Sequence, residues 1–198
     1  VLNADAWAST LQGILSGKEC SGPSLPDLCK AIGTGSVMHL AGKTFQTIDV
    51  GTTVGAGVGT GAGLSGVVPD TVAMTIASTA KGLFKTDGGP KLQDICDAIA
   101  QCLVQQLATI TLTSAHAPVF VGAGTVVPGS IPVVGEAWGS AIAGACSFNG
   151  PQWPNFAKAI GMGCAAGLAT ATGAVVILGS PAIPVPVPGA GAGTGALS

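Results

Sequence analysis

Apolar positions along this chain follow two rhythms that alternate with each other. Three segments carry large apolar residues at helical spacing: Leu28, Ile32 and Leu40, then Ile95, Ile99 and Leu107, then Phe156, Ile160 and Leu168. Separations of four and twelve residues put each set near one helix face. A shorter helix-like stretch precedes each segment: DAWASTLQGIL from Asp5, DTVAMTIASTAKGLF from Asp70 and EAWGSAIAGAC from Glu136. After each pair comes a run in which Gly or Pro alternates with apolar residues: VGAGVGTGAGLSG, VGAGTVVPGSIPVVG and PAIPVPVPGAGAGTGALS. Such alternation suits strands or polyproline-like chain and not helix.

The helical segments align with one another. From Gly22-Pro23, Gly89-Pro90 and Gly150-Pro151 they read GPSLPDLCKAIG, GPKLQDICDAIA and GPQWPNFAKAIG, gap-free to Leu40-Ala41, Leu107-Ala108 and Leu168-Ala169 and on to Thr44, Thr111 and Thr172. Pro26 and Pro154 fall where a first helical turn starts, a place that tolerates a missing N–H. Asp27, Asp94 and Asn155 share a column there, where the acids favour the helix dipole. Ala31, Gly33 and Gly35 leave room for a neighbouring helix to come close.

The expected fold class is therefore α+β, with three tandem helix–loop–helix units, each followed by an extended Gly/Pro-rich β-type arm. The units span 1–69 and 70–135, with the third unit's helices at 136–180 and a C-terminal arm at 181–198. One unit of this size buries too little surface to stand alone. The terminal arm has almost no side-chain bulk, and it is expected to pair with the sheet edge of another chain.

Composition sharpens this picture. Of 198 residues only 8% are charged, Gly numbers 32 and Pro 13, and the mean hydropathy is +0.62. Soluble domains carry about a quarter charged residues, so much of this surface is expected to be covered by copies of itself, partners or lipid. A net charge of -2 with seven Lys+Arg excludes the basic footprint of a nucleic-acid binder. The most apolar stretch, Ala165 to Gly179, approaches the length of a membrane span. Its counterparts, however, carry Lys30, His39 and Lys43, or Asp97, Gln101, Gln105 and Gln106, which argues against lipid. The start VLNADAWAST lacks the features of a secretory signal, although a signal already removed would leave no trace.

Candidate chemistry is sparse. The candidate disulfides are Cys20–Cys29 and Cys146–Cys164, which leaves Cys96 and Cys102 for each other, for a neighbouring chain or as free thiols. Buried reduced cysteines are the alternative, and the spacings do not suit zinc. Gly61, Gly63 and Gly66 match a dinucleotide fingerprint, but more Gly and then Val67-Val68-Pro69 flank them instead of a strand and a helix. His39 and His116 stand in different columns, neither in a recognisable nucleophile context, and His39 reads as structural. Trp7, Trp138 and Trp153 read as core or interface anchors. No catalytic residue, metal site or cofactor is expected, and the chain reads as a structural or assembly protein and not an enzyme.

The unit LCKAIGTGSVMHLAGKTFQTIDVGTTVGAGVGTGAGLSG resembles short virion structural proteins of tailed bacteriophages. Cys29, Ala31, Ile32, Val37, His39, Leu40 and the arm from Gly51 to Gly66 carry the resemblance. The second unit matches through Cys96-Asp97-Ala98-Ile99-Ala100, with Gln106 in place of His39. The third keeps Ala159-Ile160 and the Gly-rich end, with Ala157 and Gly167 at the other two columns. The resemblance implies a virion component whose partners are copies of itself and other virion proteins, with no catalytic residues to carry over; three units in one chain suit a threefold or sixfold position, which favours the tail or baseplate. The alternatives are a subunit of an extracellular filament or surface layer, and a membrane-inserting protein.

Overall fold

A computed structural model describes residues 2–17, 20, 22–41, 43–53, 55–84, 92–117, 119–145, 151–181 and 187–197. Its helices are α1 (Ala4–Gly17), α2 (Leu25–Leu40), α3 (Pro69–Phe84), α4 (Leu92–Leu107), α5 (Gly135–Gly144) and α6 (Trp153–Leu168). Its strands are β1 (Thr44–Thr53), β2 (Gly55–Ala62), β3 (Thr111–Ala117), β4 (Val119–Val126), β5 (Ala174–Pro181) and β6 (Val187–Leu197). Two helices are followed by two strands, three times over.

Local signals start the helices. Asn3 caps α1, its side-chain oxygen accepting from the N–H of Asp5 (2.9 Å) and of Ala6 (3.1 Å), which supplies two of the first-turn donors with a partner. Proline occupies the first turn of both α2 and α6, where it forfeits no intrahelical hydrogen bond. Among the described residues the helices pack chiefly on one another, in the closed order α1, α2, α5, α6, α3, α4 and back to α1. Small residues set their spacing. A side chain at Gly33 would stand 2.6 Å from the Ala4 carbonyl of α1, and one at Gly35 would run into the Ile142 backbone of α5. Trp7, Leu11, Ile32, Ile76, Leu103 and Trp138 are fully buried between the helices, at about 1.5–3 kcal/mol for each large aliphatic side chain removed from water.

The strands form a second tier. They close into one antiparallel barrel in the order β1-β4-β5-β2-β3-β6. No strand pairs with the other strand of its own helix–helix–strand–strand unit; β1 lies between β4 and β6, and β2 between β3 and β5. The β1–β6 ladder runs from Thr44↔Ala196 to Thr53↔Val187. Backbone bonds continue the ladders past the strand ends, from Gly63 N–H to the Ile110 carbonyl, Leu197 N–H to the Lys43 carbonyl and Val126 N–H to the Gly173 carbonyl, and Leu64 N–H reaches the Leu107 carbonyl at the end of α4.

This architecture overturns the expected one of three helix–loop–helix units with extended arms. The runs read as arms are barrel strands, and each strand's partners come from other parts of the sequence. The C-terminal run is no exception, since β6 is paired on both sides by β1 and β3. Closure leaves no sheet edge, so the expected pairing of that arm with another chain is also incorrect. Nor is the Ala165–Gly179 stretch one helix; α6 ends at Leu168 and β5 begins at Ala174. Among the described residues, no helix is long and apolar enough to cross a membrane.

Candidate functional site

Barrel width explains where the glycines stand. Eight strands give an interior just wide enough for side chains from every strand, and six give less. Here β1, β3 and β5 send side chains inward, and glycines on β2, β4 and β6 make the space. Thr47, Ser114 and Val175 point inward, as do Asp49, His116 and Ile177 one step further from the helices, and all six are buried. Opposite them lie Gly59, Gly124 and Gly193. A side chain at Gly193 would collide with the His116 ring, and one at Gly124 would stand 2.5 Å from Asp49 Oδ1.

The polar members of these positions form a chain of hydrogen bonds. His116 Nδ1 lies 2.7 Å from Asp49 Oδ2, with both side chains fully buried, and Ser114 Oγ lies 2.6 Å from His116 Nε2. A carboxylate only accepts, so the Nδ1–H donates to Asp49, and in the neutral ring Nε2 accepts from the serine hydroxyl. The connectivity is that of a serine-hydrolase triad, but the surroundings do not suit acyl transfer. Ser114 is 6% exposed, and a methyl group at Gly59 would sit 2.5 Å from its Oγ and against His116 Nε2. The barrel backbone thus fills the space an electrophile needs within about 3 Å of the nucleophile. The relay ties β1 to β3 across the intervening β6. Thr47 Oγ1 and Asp49 Oδ1 are buried beside it without a hydrogen-bond partner.

The outward face of the barrel is the second feature. Among the strand residues only Asp49 and His116 are titratable, and both point inward. The wall is therefore made of Ala, Thr, Val, Ile, Leu, Gln and Pro, without a charge. Ile48, Val50, Val58, Val176 and Leu178 stand out from it, each more than half exposed. Charged side chains belong to the helical tier and its connections, as in the exposed ion pair of Lys158 with Glu136 at 2.6 Å. That pair holds the Glu136 carboxyl below its ordinary range. Among the described residues, no helix packs along the barrel, and this wall faces outward.

Family models, curated proteins and solved structures give no match to the chain.

The candidates from sequence fall mostly in the helical tier. Trp7 and Trp138 are core residues between helices, the latter donating from Nε1 to Ser36 Oγ at 3.0 Å. Trp153 is half-buried, its Nε1 directed at the Ala143 carbonyl. Trp7 and Trp138 thus anchor helix to helix. His39 stacks on Trp138 with ring centroids 5.2 Å apart, and burial, aided by the Lys43 charge, lowers its pKa. The expected disulfides are absent: Cys29, Cys96, Cys102 and Cys164 are free thiols. Cys20 is half-buried, and Cys146 lies outside the described residues. Cys96 and Cys102 stand six residues apart on α4, about 9 Å along its axis, too far to bridge.

Among the described residues, no cluster of His, Cys, Asp and Glu is suited to a metal ion. The run from Gly61 to Gly66 is the turn from β2 into α3. It has positive φ at Gly63 and Gly66, and Gly63 lies against the Ala108 carbonyl.

Sequence reasoning missed Asp49 and Ser114 and left His116 without a partner. The signal was present. Five columns beyond Thr44, Thr111 and Thr172, the same gap-free alignment reaches Asp49, His116 and Ile177.

Proposed function

We infer that this chain is a structural subunit of a bacteriophage virion, of the tail or baseplate, whose barrel is sheathed by neighbouring proteins in the particle. One observation carries the reading: a closed barrel stands clear of the helices with a wall that bears no charge and exposes Ile48, Val50, Val58, Val176 and Leu178. Exposed apolar patches of this kind mark interaction surfaces. A rigid, glycine-packed barrel keeps its shape when covered, and the buried relay gives it a fixed interior. The resemblance of the segment around Cys29, Ile32, His39 and Leu40 to virion proteins supplies the class of particle.

The test is density-gradient fractionation of the native source, with mass spectrometry following this chain. Co-migration with capsid and tail proteins at fixed stoichiometry is the expected result. Travel in a fraction free of capsid protein points instead to an extracellular filament. Flotation with liposomes makes lipid the covering of the wall.

A further inference from the structure

The wall is not the same all round. In the ring order, β5 and β6 lie opposite one another, and their outward faces differ in shape. On the β5 side, Val176 (58% exposed) and Leu178 (64%) project. This is a ridge of bulky aliphatic side chains. Alternate strand residues repeat about every 6.6 Å, which sets the spacing of its knobs.

On the β6 side the outward residues are small: Ala190, Ala192, Thr194 and Ala196. A groove of about 700 Å³ follows this strand, with Ala192 and Thr194 in its bed, Gln46 and Ile48 of β1 along one bank, and Ala115 and Ala117 of β3 along the other. A second hollow of about 440 Å³ shares Ala115 and Thr194 with it and extends the depression toward Thr44 and Ala196, with Val58 of β2, the ladder partner of Ala115, on its far bank. Gly193 and Gly195 lie in the floor.

We propose that the β6 groove receives the β5 ridge of a second copy of this chain, so that copies associate head to tail through their barrels. This rests on the assembly reading above and names the partner. Both surfaces lack charge, so neither has an ion to desolvate on contact. Each supplies the shape the other lacks, and a single chain carries both. Because the two lie on opposite sides of one barrel, the contact is heterologous. It leaves a free ridge at one end and a free groove at the other, and it propagates into a ring or a filament. A virion part built from stacked or encircling copies needs that kind of contact.

The experiment is sedimentation velocity on the purified full chain, with two variants at exposed positions, Leu178→Glu on the ridge and Ala192→Glu in the groove. The wild-type chain is expected to associate as its concentration rises to roughly 100 μM, a range that detects micromolar affinities. Each variant is expected to associate at least about tenfold more weakly, because a carboxylate must then be buried without a partner. Mixed in equal amounts, the two variants should form a dimer and nothing larger, since one still offers a groove and the other a ridge. Circular dichroism melts establish that both variants are folded, and Leu178→Gln and Ala192→Gln replace either one that is not.

Folded variants that remain monomeric when mixed overturn the ridge-in-groove contact. A wild-type chain that stays monomeric also overturns it. If that monomer still co-migrates with phage particles, the assembly reading stands and the wall belongs to a different protein. If it does not, both fall.

Discussion

At the scale of single residues, Asp49, His116 and Ile177 show what the barrel interior tolerates. They share one sequence column and one level of the barrel, yet two are polar and one is aliphatic. The two polar residues persist because they satisfy one another, with His116 holding Asp49 on one side and Ser114 on the other. Removing one partner of such a buried pair leaves a stranded group, whereas replacing both with apolar residues does not. His116→Leu or Asp49→Val alone should therefore lower the unfolding free energy by about 3–5 kcal/mol. The double variant Asp49→Val, His116→Leu should recover most of that loss, since Ile177 already fits the same level. Urea denaturation of the four proteins measures the coupling, and simple additivity of the two substitutions would show that the relay contributes nothing as a pair. The partnership was legible only in part. The column alignment places His116 level with Asp49, but a hydrogen bond between strands that are not neighbours depends on the ring order, which no local pattern encodes.

At the scale of elements, the six helices were readable because period, proline placement and first-turn acids agreed. The strands were half readable. Alternating glycine gave extended chain, but it did not distinguish an arm from a barrel strand, because the glycines serve the barrel's interior volume and not the local backbone. The cysteines follow from the helices: Cys29, Cys96, Cys102 and Cys164 all lie on buried faces of α2, α4 and α6. Burial pushes the Cys29 thiol from 9.0 up to about 11, and those of Cys96 and Cys102 up to about 12. It raises Cys164 as well. Above pH 9 the unfolded chain releases thiol protons that the folded chain keeps, so the folded state binds more protons and stability falls as pH rises. The contribution is complete below pH 9 and disappears as pH climbs through 11 to 12. Melting temperature should accordingly drop between about pH 8 and about pH 10.5, and Cys102→Ala should flatten the drop. In the native protein at neutral pH these four thiols should resist a thiol reagent that titrates them freely in denaturant. Rapid native labelling of Cys102 or Cys164 would contradict their placement.

At the scale of the whole molecule, connectivity decides how the protein holds together. Every ladder joins strands from different thirds of the sequence: Thr47 pairs with Val126 and Gly193, Gly57 with His116 and Gly179, and Ala115 with Thr194. The helical ring has the same property at α2 with α5, α3 with α6 and α1 with α4. No third of the chain contains a strand partner of its own, which is why cutting the sequence at its repeat boundaries does not yield structural modules. A fragment of residues 1–69 holds β1 and β2, whose partners β4, β6, β3 and β5 all lie outside it, so it should show no sheet and no protected strand amides. Deleting 187–198 removes β6 and unpairs one edge each of β1 and β3. Open edges of this kind template aggregation, and the truncated chain should aggregate and lose the single cooperative transition of the full protein. Folding of the intact chain should be slow for its size, because so many of its contacts are distant in sequence. Hydrogen exchange on the truncated chain is the decisive measurement. Equal protection of β1 and β3 with and without β6 would mean that the barrel does not close through that strand. Loss of protection in both, beyond the deleted residues' immediate neighbours, is the result that closure demands.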